Sequence, residues 1–277
     1  MRNLQRYVLK DAVDLGSKLV GRRDAVYVMQ DVTGYKYEDI MIRGDATICN
    51  KFFAEFEQKI KRLVGGEPLQ YVLGKWDFCG IEFNVDERAL IPRPETELLV
   101  EAVIDHIKDK HRLDILDVCT GSGCVGLAIA KLTDFSHNVL LADISEDALS
   151  LALENSVKHG ANVNFIRSDL LATIPGKLDV IVSNPPYIPG PEMKSLPKNI
   201  IKYEPHLALN GGTDGLDIYK KLIPQSFKSL KPGGMIFLEI GPTQTYEILH
   251  EFGFSDIKIQ KDYAGIDRIL QGVKKHV

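Results

Sequence analysis

The chain is predicted to be an α/β protein: a parallel sheet covered by helices on both faces, with a small helical domain ahead of it. Two observations predict this. From about residue 91 onward, short apolar runs of strand length alternate with helical stretches, the mark of parallel strands joined by crossover helices. Before residue 67 the apolar spacing is helical, which sets that region apart.

Taken in order, residues 1–66 read as a small helical bundle. Leu4, Tyr7, Val8, Asp11, Ala12 and Leu15 give a rough helical face; Phe52, Phe53, Phe56, Ile60, Leu63 and Val64 give a clearer one, stopped by Gly65-Gly66. Such a shape suits docking onto a partner and specifies none. Within residues 67–90, two short apolar runs flank Cys79-Gly80 between Trp76 and Val85, which predicts a β-hairpin. This segment is taken as the linker to the larger domain, residues 91–277. There, strands are expected at Leu113–Val118, Asn138–Ala142, Val163–Ile166, Asp179–Ser183 and Met235–Ile240, with two more near 256–261 and 267–273 closing an edge. Helices near 95–108, 124–132, 146–159 and 216–229 separate most of them. Lys231-Pro232-Gly233-Gly234 reads as a turn feeding a strand, and Asp262 to Asp267 as a turn beside the last one. Pro189 to Asp214 is long and proline-rich, the length of a lid or binding loop.

The 277 residues are enough for a small domain plus a larger one, and 44% apolar with 26% charged residues is an ordinary globular composition. Net charge is −4, unevenly spread: residues 1–66 carry 12 Lys/Arg against 9 Asp/Glu, and the remainder 22 against 29. An acidic larger domain is a poor partner for a phosphate backbone, so no direct nucleic-acid binding is expected. Cys49, Cys79, Cys119 and Cys124 form no Cys-x-x-Cys pair, and the seven His residues show no metal spacing. Free thiols in a reducing cytosol are expected, with no metal site. The charged N-terminus has no signal-peptide core and no apolar run approaches the roughly 20 residues of a membrane span, so a cytoplasmic location without membrane partners is expected.

The run Leu113–Val118 leads directly into Thr120-Gly121-Ser122-Gly123 and then a helix. A glycine-rich turn lets a ligand approach the backbone, and free N–H groups at a helix start can hold a carboxylate or phosphate. Asp143 ends the next strand, where a carboxylate can accept both ribose hydroxyls of a nucleoside. Gly121 to Gly126 also fits G-x-G-x-x-G, so by letters alone a nicotinamide cofactor is allowed. Asp169 follows the third strand, placed to bond an adenine amino group or to cap a turn.

After Asp179–Ser183 comes Asn184-Pro185-Pro186-Tyr187. The prolines stiffen the turn and leave carbonyls without a ladder partner. The Asn184 side-chain oxygen and the Pro185 carbonyl then supply two acceptors for one planar NH₂ group, on which Tyr187 can stack. Fixing both N–H bonds of a weakly nucleophilic amide orients its nitrogen toward an electrophile.

These residues resemble the HemK/PrmC family of protein-(glutamine-N5) methyltransferases. The resemblance also runs through Gly66–Gly74, Ile91 to Glu97, Asp117 to Gly123, Asp143 to Ser145, Ser183 to Tyr187, Tyr203 to Pro205 and Gly211 to Asp217. It implies a class I S-adenosylmethionine-dependent, Rossmann-like methyltransferase domain behind the helical one. It further implies a substrate, the glutamine of the Gly-Gly-Gln motif in class-1 peptide chain release factors. Carried onto this chain, Asp117, Thr120, Gly121, Ser122, Gly123, Cys124, Asp143, Asp169 and Leu170 would hold S-adenosylmethionine. Asn184, Pro185, Pro186 and Tyr187 would hold the glutamine amide, with Asn184 close to both molecules. Leu170 stands where the family usually has a larger aromatic, and Cys119 where it usually has glycine. Arg93 to Glu97 has an ordinary explanation too, because proline and acids open helices.

Rival readings remain at this point. An adenine-N6 nucleic-acid methyltransferase uses the same NH₂ chemistry but needs a basic cleft to hold its extruded base. A glutamine methyltransferase acting on a ribosomal protein is a near cousin. A nicotinamide oxidoreductase needs a hydride-transfer acid or base that Asn-Pro-Pro-Tyr does not offer, and a non-enzymatic adaptor leaves the complete amine-binding turn without a purpose.

Overall fold

The computed structural model describes residues 7–241 and 249–275. These residues form two compact units. One runs up to Gly74 and includes Lys198–Tyr203 from later in the chain; the other is Lys75–Pro197 with the chain from Glu204 onward. The expected boundary at residue 66 is therefore corrected to Gly74. Residues 67–74 complete the first unit through a short helix, and the hairpin is no linker, because its aromatic side chains are core of the second unit.

The first unit opens with β1 (Tyr7–Val8), then α1 (Leu9–Val20), α2 (Arg22–Thr33), α3 (Tyr37–Ile42), β2 (Thr47–Ile48), α4 (Asn50–Val64) and α5 (Leu69–Leu73). Tyr7 and Val8 pair with Ile48 and Thr47, so they extend the chain before the helix and do not belong to its face. Leu4 lies outside the described residues. The stripe that α1 buries is Leu9, Ala12, Val13 and Gly16, while Leu15 is half exposed; this is the i, i+3, i+4, i+7 spacing, shifted from the expected one. Gly16 has a packing reason. A β-carbon there would lie 2.7 Å from Phe56 of α4.

The second unit begins with the hairpin β3 (Lys75–Phe78) and β4 (Ile81–Asn84). Cys79 and Gly80 both have positive φ, as a tight two-residue turn requires. Phe78 and Phe83 are buried and meet edge to face. Then follow α6 (Glu97–Ile107), β5 (Asp114–Val118), α7 (Cys124–Leu132), β6 (Asn138–Asp143), α8 (Glu146–His159), β7 (Asn164–Arg167), β8 (Leu178–Ser183), the helix Asp217–Ser229, β9 (Leu230–Glu239), β10 (Phe254–Lys261) and β11 (Asp267–Lys274). The seven strands lie in the order β10-β11-β9-β8-β5-β6-β7. Five are mutually parallel from β9 to β7, and β11 runs antiparallel to both of its neighbours.

Period-two alternation divides the core between the two faces of the sheet. Ile115, Leu141, Val180, Val182 and Phe237 face α6, α7 and the hairpin. Leu116, Ala142, Ile181, Ile236 and Leu238 face the helix Asp217–Ser229. Lys231 to Gly234, expected as a turn before the strand, lies inside β9 as a bulge: Leu178 pairs with Leu230 and Val180 with Met235. Strand order reverses between β5 and β8, and in such sheets ligands bind beyond the carboxyl ends of the strands at that point.

Candidate active site

A cavity of about 190 Å³ opens at those carboxyl ends. Its lining includes Asp117, Thr120, Gly121, Ser122 and Cys124 from the end of β5 and the start of α7, and Asp143 from β6. Ser168, Asp169 and Leu170 follow β7, and Asn184 and Pro186 follow β8. The other walls are 88–93 with Thr96, and Pro205, Leu207, Ala208 and Asn210 from the long loop. Gly123, Pro185 and Tyr187, expected in the site, are not part of this lining.

The glycine turn is braced from below. Asp117 is buried, and its carboxylate accepts from the Thr120 hydroxyl (2.5 Å) and the Gly126 N–H (2.9 Å). Desolvation raises its pKa to about 7. At Gly126 helix and strand pack closely: a β-carbon would meet the Leu141 side chain at 2.1 Å and Asp117 Cβ at 3.0 Å. Asn155 of α8, fully buried, donates to the carbonyls of Ser122 and Asn84 and accepts from the Asn84 N–H. It ties the glycine turn to the hairpin, a role no local pattern signals. Cys119 sits at φ 61°, the left-handed region that favours glycine. The β-carbon is thus tolerated at a cost of about 1–2 kcal/mol.

The chemistry of this end suits a nucleoside that also carries an anionic group. Gly123 at the N-cap gives α7 no capping side chain, which leaves its positive end open. The Ser122 hydroxyl is buried without a hydrogen bond, a group that asks for a ligand partner. Asp143 accepts from Gly121 N–H and Ser145 N–H, one on each carboxylate oxygen, and each oxygen keeps a lone pair for a hydroxyl. Asp169 is exposed, and the nearby turn is capped by Ser168, whose hydroxyl accepts from Thr173 N–H. Leu170 is buried against the lining at φ 52°.

At the other end, the Ser183 hydroxyl donates to the Val118 carbonyl at 2.6 Å and holds the tips of β8 and β5 together. Asn184 Nδ2 donates to Thr96 Oγ1 at 3.2 Å, so Oδ1 is the face it keeps for another partner. Pro185 is buried, and its carbonyl accepts no hydrogen bond from the described residues. The Tyr187 ring packs where a β-carbon on Gly241 would stand (2.9 Å), and its hydroxyl donates to Glu239 Oε1 at 3.3 Å. Burial and the Glu239 charge push the Tyr187 pKa up to about 12. Here Tyr187 braces the turn.

Sequence reasoning missed Thr96, Asn155, Glu204 and Glu239. Thr96 ends the turn Pro94–Thr96 ahead of α6 and was hidden inside a plain helix start. Glu204 is buried, pairs with Arg93 at 2.6 Å and accepts from Ile91 N–H, which joins two cavity walls. The long loop is ordered at its base: Ile188 bridges Asn210, and Gly190 N–H donates to the Gly212 carbonyl. Among the described residues, no helix is long and apolar enough to cross a membrane.

Comparison with known proteins agrees with this geometry. Residues 94–213 match the family model of the Methyltransferase small domain, and residues 20–74 that of the PrmC N-terminal domain. The chain is 41% identical over 227 residues to a release factor glutamine methyltransferase of Koribacter versatilis, covering 80% of each. A protein of the same name from Geobacter sulfurreducens is 34% identical, over 91% of this chain and 89% of that one. Among solved structures, a methyltransferase from Pyrococcus furiosus superposes with a TM-score of 0.54 at 21% identity, covering 72% of this chain and 91% of that one. The Thermus thermophilus 16S rRNA N2 G1207 methyltransferase, solved with AdoMet and guanosine, also gives 0.54, at 20% identity, over 73% and 50%. These two likenesses concern the fold, that of class I methyltransferases. With sequence identity of this extent across both units, the chain belongs to the release factor glutamine methyltransferase family.

Proposed function

We propose that this protein uses S-adenosylmethionine to methylate the side-chain amide nitrogen of the glutamine in the Gly-Gly-Gln motif of class-1 peptide chain release factors, in the cytoplasm. The observation that carries this is the anchoring of Asn184 by Thr96, which leaves the amide oxygen as an acceptor on the wall of the same cavity as the glycine turn.

In this reading the Ser122 hydroxyl and the start of α7 hold the carboxylate of the methionine part, Asp143 the ribose hydroxyls and Asp169 the adenine amine. Asp117, Thr120, Gly121, Gly123 and Cys124 shape the turn, and Leu170 packs on the base. The cofactor supplies a methyl group made electrophilic by a sulfonium. Asn184 Oδ1 and the Pro185 carbonyl each accept one N–H of the glutamine amide, with Pro186 and Tyr187 fixing the turn that presents them. Held this way, the nitrogen would direct its lone pair at the methyl carbon; as the N–C bond forms, the methyl C–S bond would break with its pair passing to sulfur, and the extra amide proton would then pass to water without a strong base. The unit that ends at Gly74 serves to recognise the release factor.

The test is mass spectrometry of the Gly-Gly-Gln peptide after incubating a release factor with the protein and cofactor. One methyl on the glutamine is expected. Asn184→Ala is expected to lower turnover by about 10²-fold or more while cofactor binding weakens far less. Equal losses would reassign Asn184 to the cofactor.

A further inference from the structure

The cavity wall Ile91-Pro92-Arg93 is followed by Pro94. Prolines at 92 and 94 bring no N–H, and a residue ahead of proline is kept extended; Arg93 sits accordingly at φ −98°, ψ 144°. Such a stretch has few backbone donors of its own and depends on distant side chains to hold it. Glu204, 111 residues beyond Arg93, supplies that tie. Its Oε1 accepts from the Arg93 guanidinium at 2.6 Å and its Oε2 from the Ile91 N–H at 3.3 Å. The Glu204 side chain is 1% exposed against 31% for Arg93. A carboxylate so far from water needs the charged partner it has.

The tie continues to the amide-binding end. Thr96 N–H donates to the Arg93 carbonyl at 3.1 Å across the turn Pro94–Thr96, and Thr96 Oγ1, buried, accepts from Asn184 Nδ2 at 3.2 Å. Glu204, Arg93, Thr96 and Asn184 thus form one line of hydrogen bonds, all of it within the second unit. We infer that Arg93 and Glu204 are a positioning pair for the reaction: they fix the segment that carries Thr96, and Thr96 in turn aims Asn184 Oδ1 into the cavity. This rests on the reading of Asn184 as the acceptor for the substrate amide.

A merely structural pair would serve to hold the long loop in which Glu204 lies. That loop is tied at its base by other bonds: Ile188 N–H donates to the Leu209 carbonyl, Gly211 N–H to the Ile188 carbonyl and Gly190 N–H to the Gly212 carbonyl. What the pair adds is a fixed place for residues 91–96. Misplacing a group at the reacting end by about 1 Å is worth about 10²-fold in rate, so a small release of Arg93 shows in turnover before it shows in the fold.

Arg93→Gln tests this. The expected result is a fall in kcat of about tenfold or more, with cofactor Kd within about twofold of wild type. Arg93→Lys keeps a charge beside Glu204 and so spares the fold, but it lacks the forked geometry; it is expected to lose at least about threefold. The decisive comparison is with Thr96→Val, which removes the hydroxyl that Asn184 leans on. If Arg93 acts through Thr96, adding Arg93→Gln or Arg93→Lys to Thr96→Val costs less than about twofold more, because coupled sites are not additive. In ¹⁵N-edited spectra, the Asn184 side-chain amide protons show contacts to Thr96 in the wild type that weaken in both Arg93 variants. This readout needs no substrate, so it separates failure of the positioning line from failure of the glutamine reading. Wild-type kcat in both Arg93 variants overturns the inference. So do losses that multiply with that of Thr96→Val, an unchanged Asn184–Thr96 contact, or a kcat loss matched by an equal loss of cofactor affinity.

Discussion

At the scale of single residues, the cofactor end of the cavity is built on a buried carboxyl and a strained cysteine. Cys119 keeps its left-handed backbone because both sides are pinned: Thr120 N–H donates to the Ala142 carbonyl, and Asp117 grips Thr120 and Gly126. Asp117 carries a cost of its own. Its pKa is raised from 3.8 to about 7 by burial, against the two hydrogen bonds that favour the charged form. A folded-state pKa above the unfolded one stabilises the fold fully below the unfolded pKa, and that contribution is lost as pH rises through the folded value. Wild type is therefore expected to lose stability relative to Asp117→Asn between about pH 4 and pH 8, by up to about 4 kcal/mol. The asparagine oxygen still accepts both bonds but never ionises. Denaturant midpoints of the two proteins across that range check this, and a difference flat with pH would sink it.

At the scale of elements, the segment Gly211 to Asp217 explains why the Asn-Pro-Pro-Tyr turn holds its shape. Gly211 N–H donates to the Ile188 carbonyl, Asp217 N–H donates to the Gly211 carbonyl, and the Asp217 carboxylate accepts from Thr213 N–H. A β-carbon at Gly211 would stand 2.7 and 2.8 Å from Tyr187 Cα and carbonyl carbon and 2.9 Å from the Gly215 oxygen, all backbone. Backbone has to move, so Gly211→Ala is expected to cost about 1–3 kcal/mol and to lower kcat at least tenfold, since about 1 Å of misplacement is worth about 10²-fold. Cofactor Kd should hold. Gly44→Ala, whose β-carbon would meet only Lys10 at 3.6 Å, is the control with unchanged turnover. This brace was visible in the sequence only through resemblance. The strands were legible from their own residues, since β-branched runs such as Val180–Val182 read the same wherever they lie, and the glycine turn was legible because its chemistry is contiguous. Thr96 and Glu239 were not, because each acts on a partner far along the chain: Asn184 is 88 residues from Thr96, and Tyr187 is 52 from Glu239. Lys231 to Gly234 misled for the opposite reason, its local turn chemistry being absorbed by a bulge within β9.

At the scale of the molecule, the chain leaves the first unit at Gly74, returns at Lys198 and leaves again after Tyr203. The excursion Lys198–Tyr203 is anchored within that unit by the Tyr203 hydroxyl, which donates to the Gly65 carbonyl at 3.0 Å. Every residue lining the cavity, by contrast, belongs to the second unit. Each unit also has its own core: Phe56, Ile60, Leu9 and Met29 in the first, and the two faces of the sheet in the second. Two cores, with the cavity at the carboxyl ends lined by the second unit alone, imply that the stability of the first unit and ligand binding at that cavity separate. Phe56, 2% exposed, is the ring that Gly16 makes room for, and Phe56→Ala is expected to cost the first unit about 3–5 kcal/mol. Saturation with S-adenosylmethionine at a hundred times its Kd is expected to stabilise the second unit by about 2.7 kcal/mol. Scanning calorimetry should then show two transitions. Phe56→Ala lowers one of them and leaves cofactor affinity as it was; the cofactor raises the other. A single transition moved by both changes would mean that the units fold as one cooperative block, and that the first unit and the cavity of the second are energetically coupled through the fold.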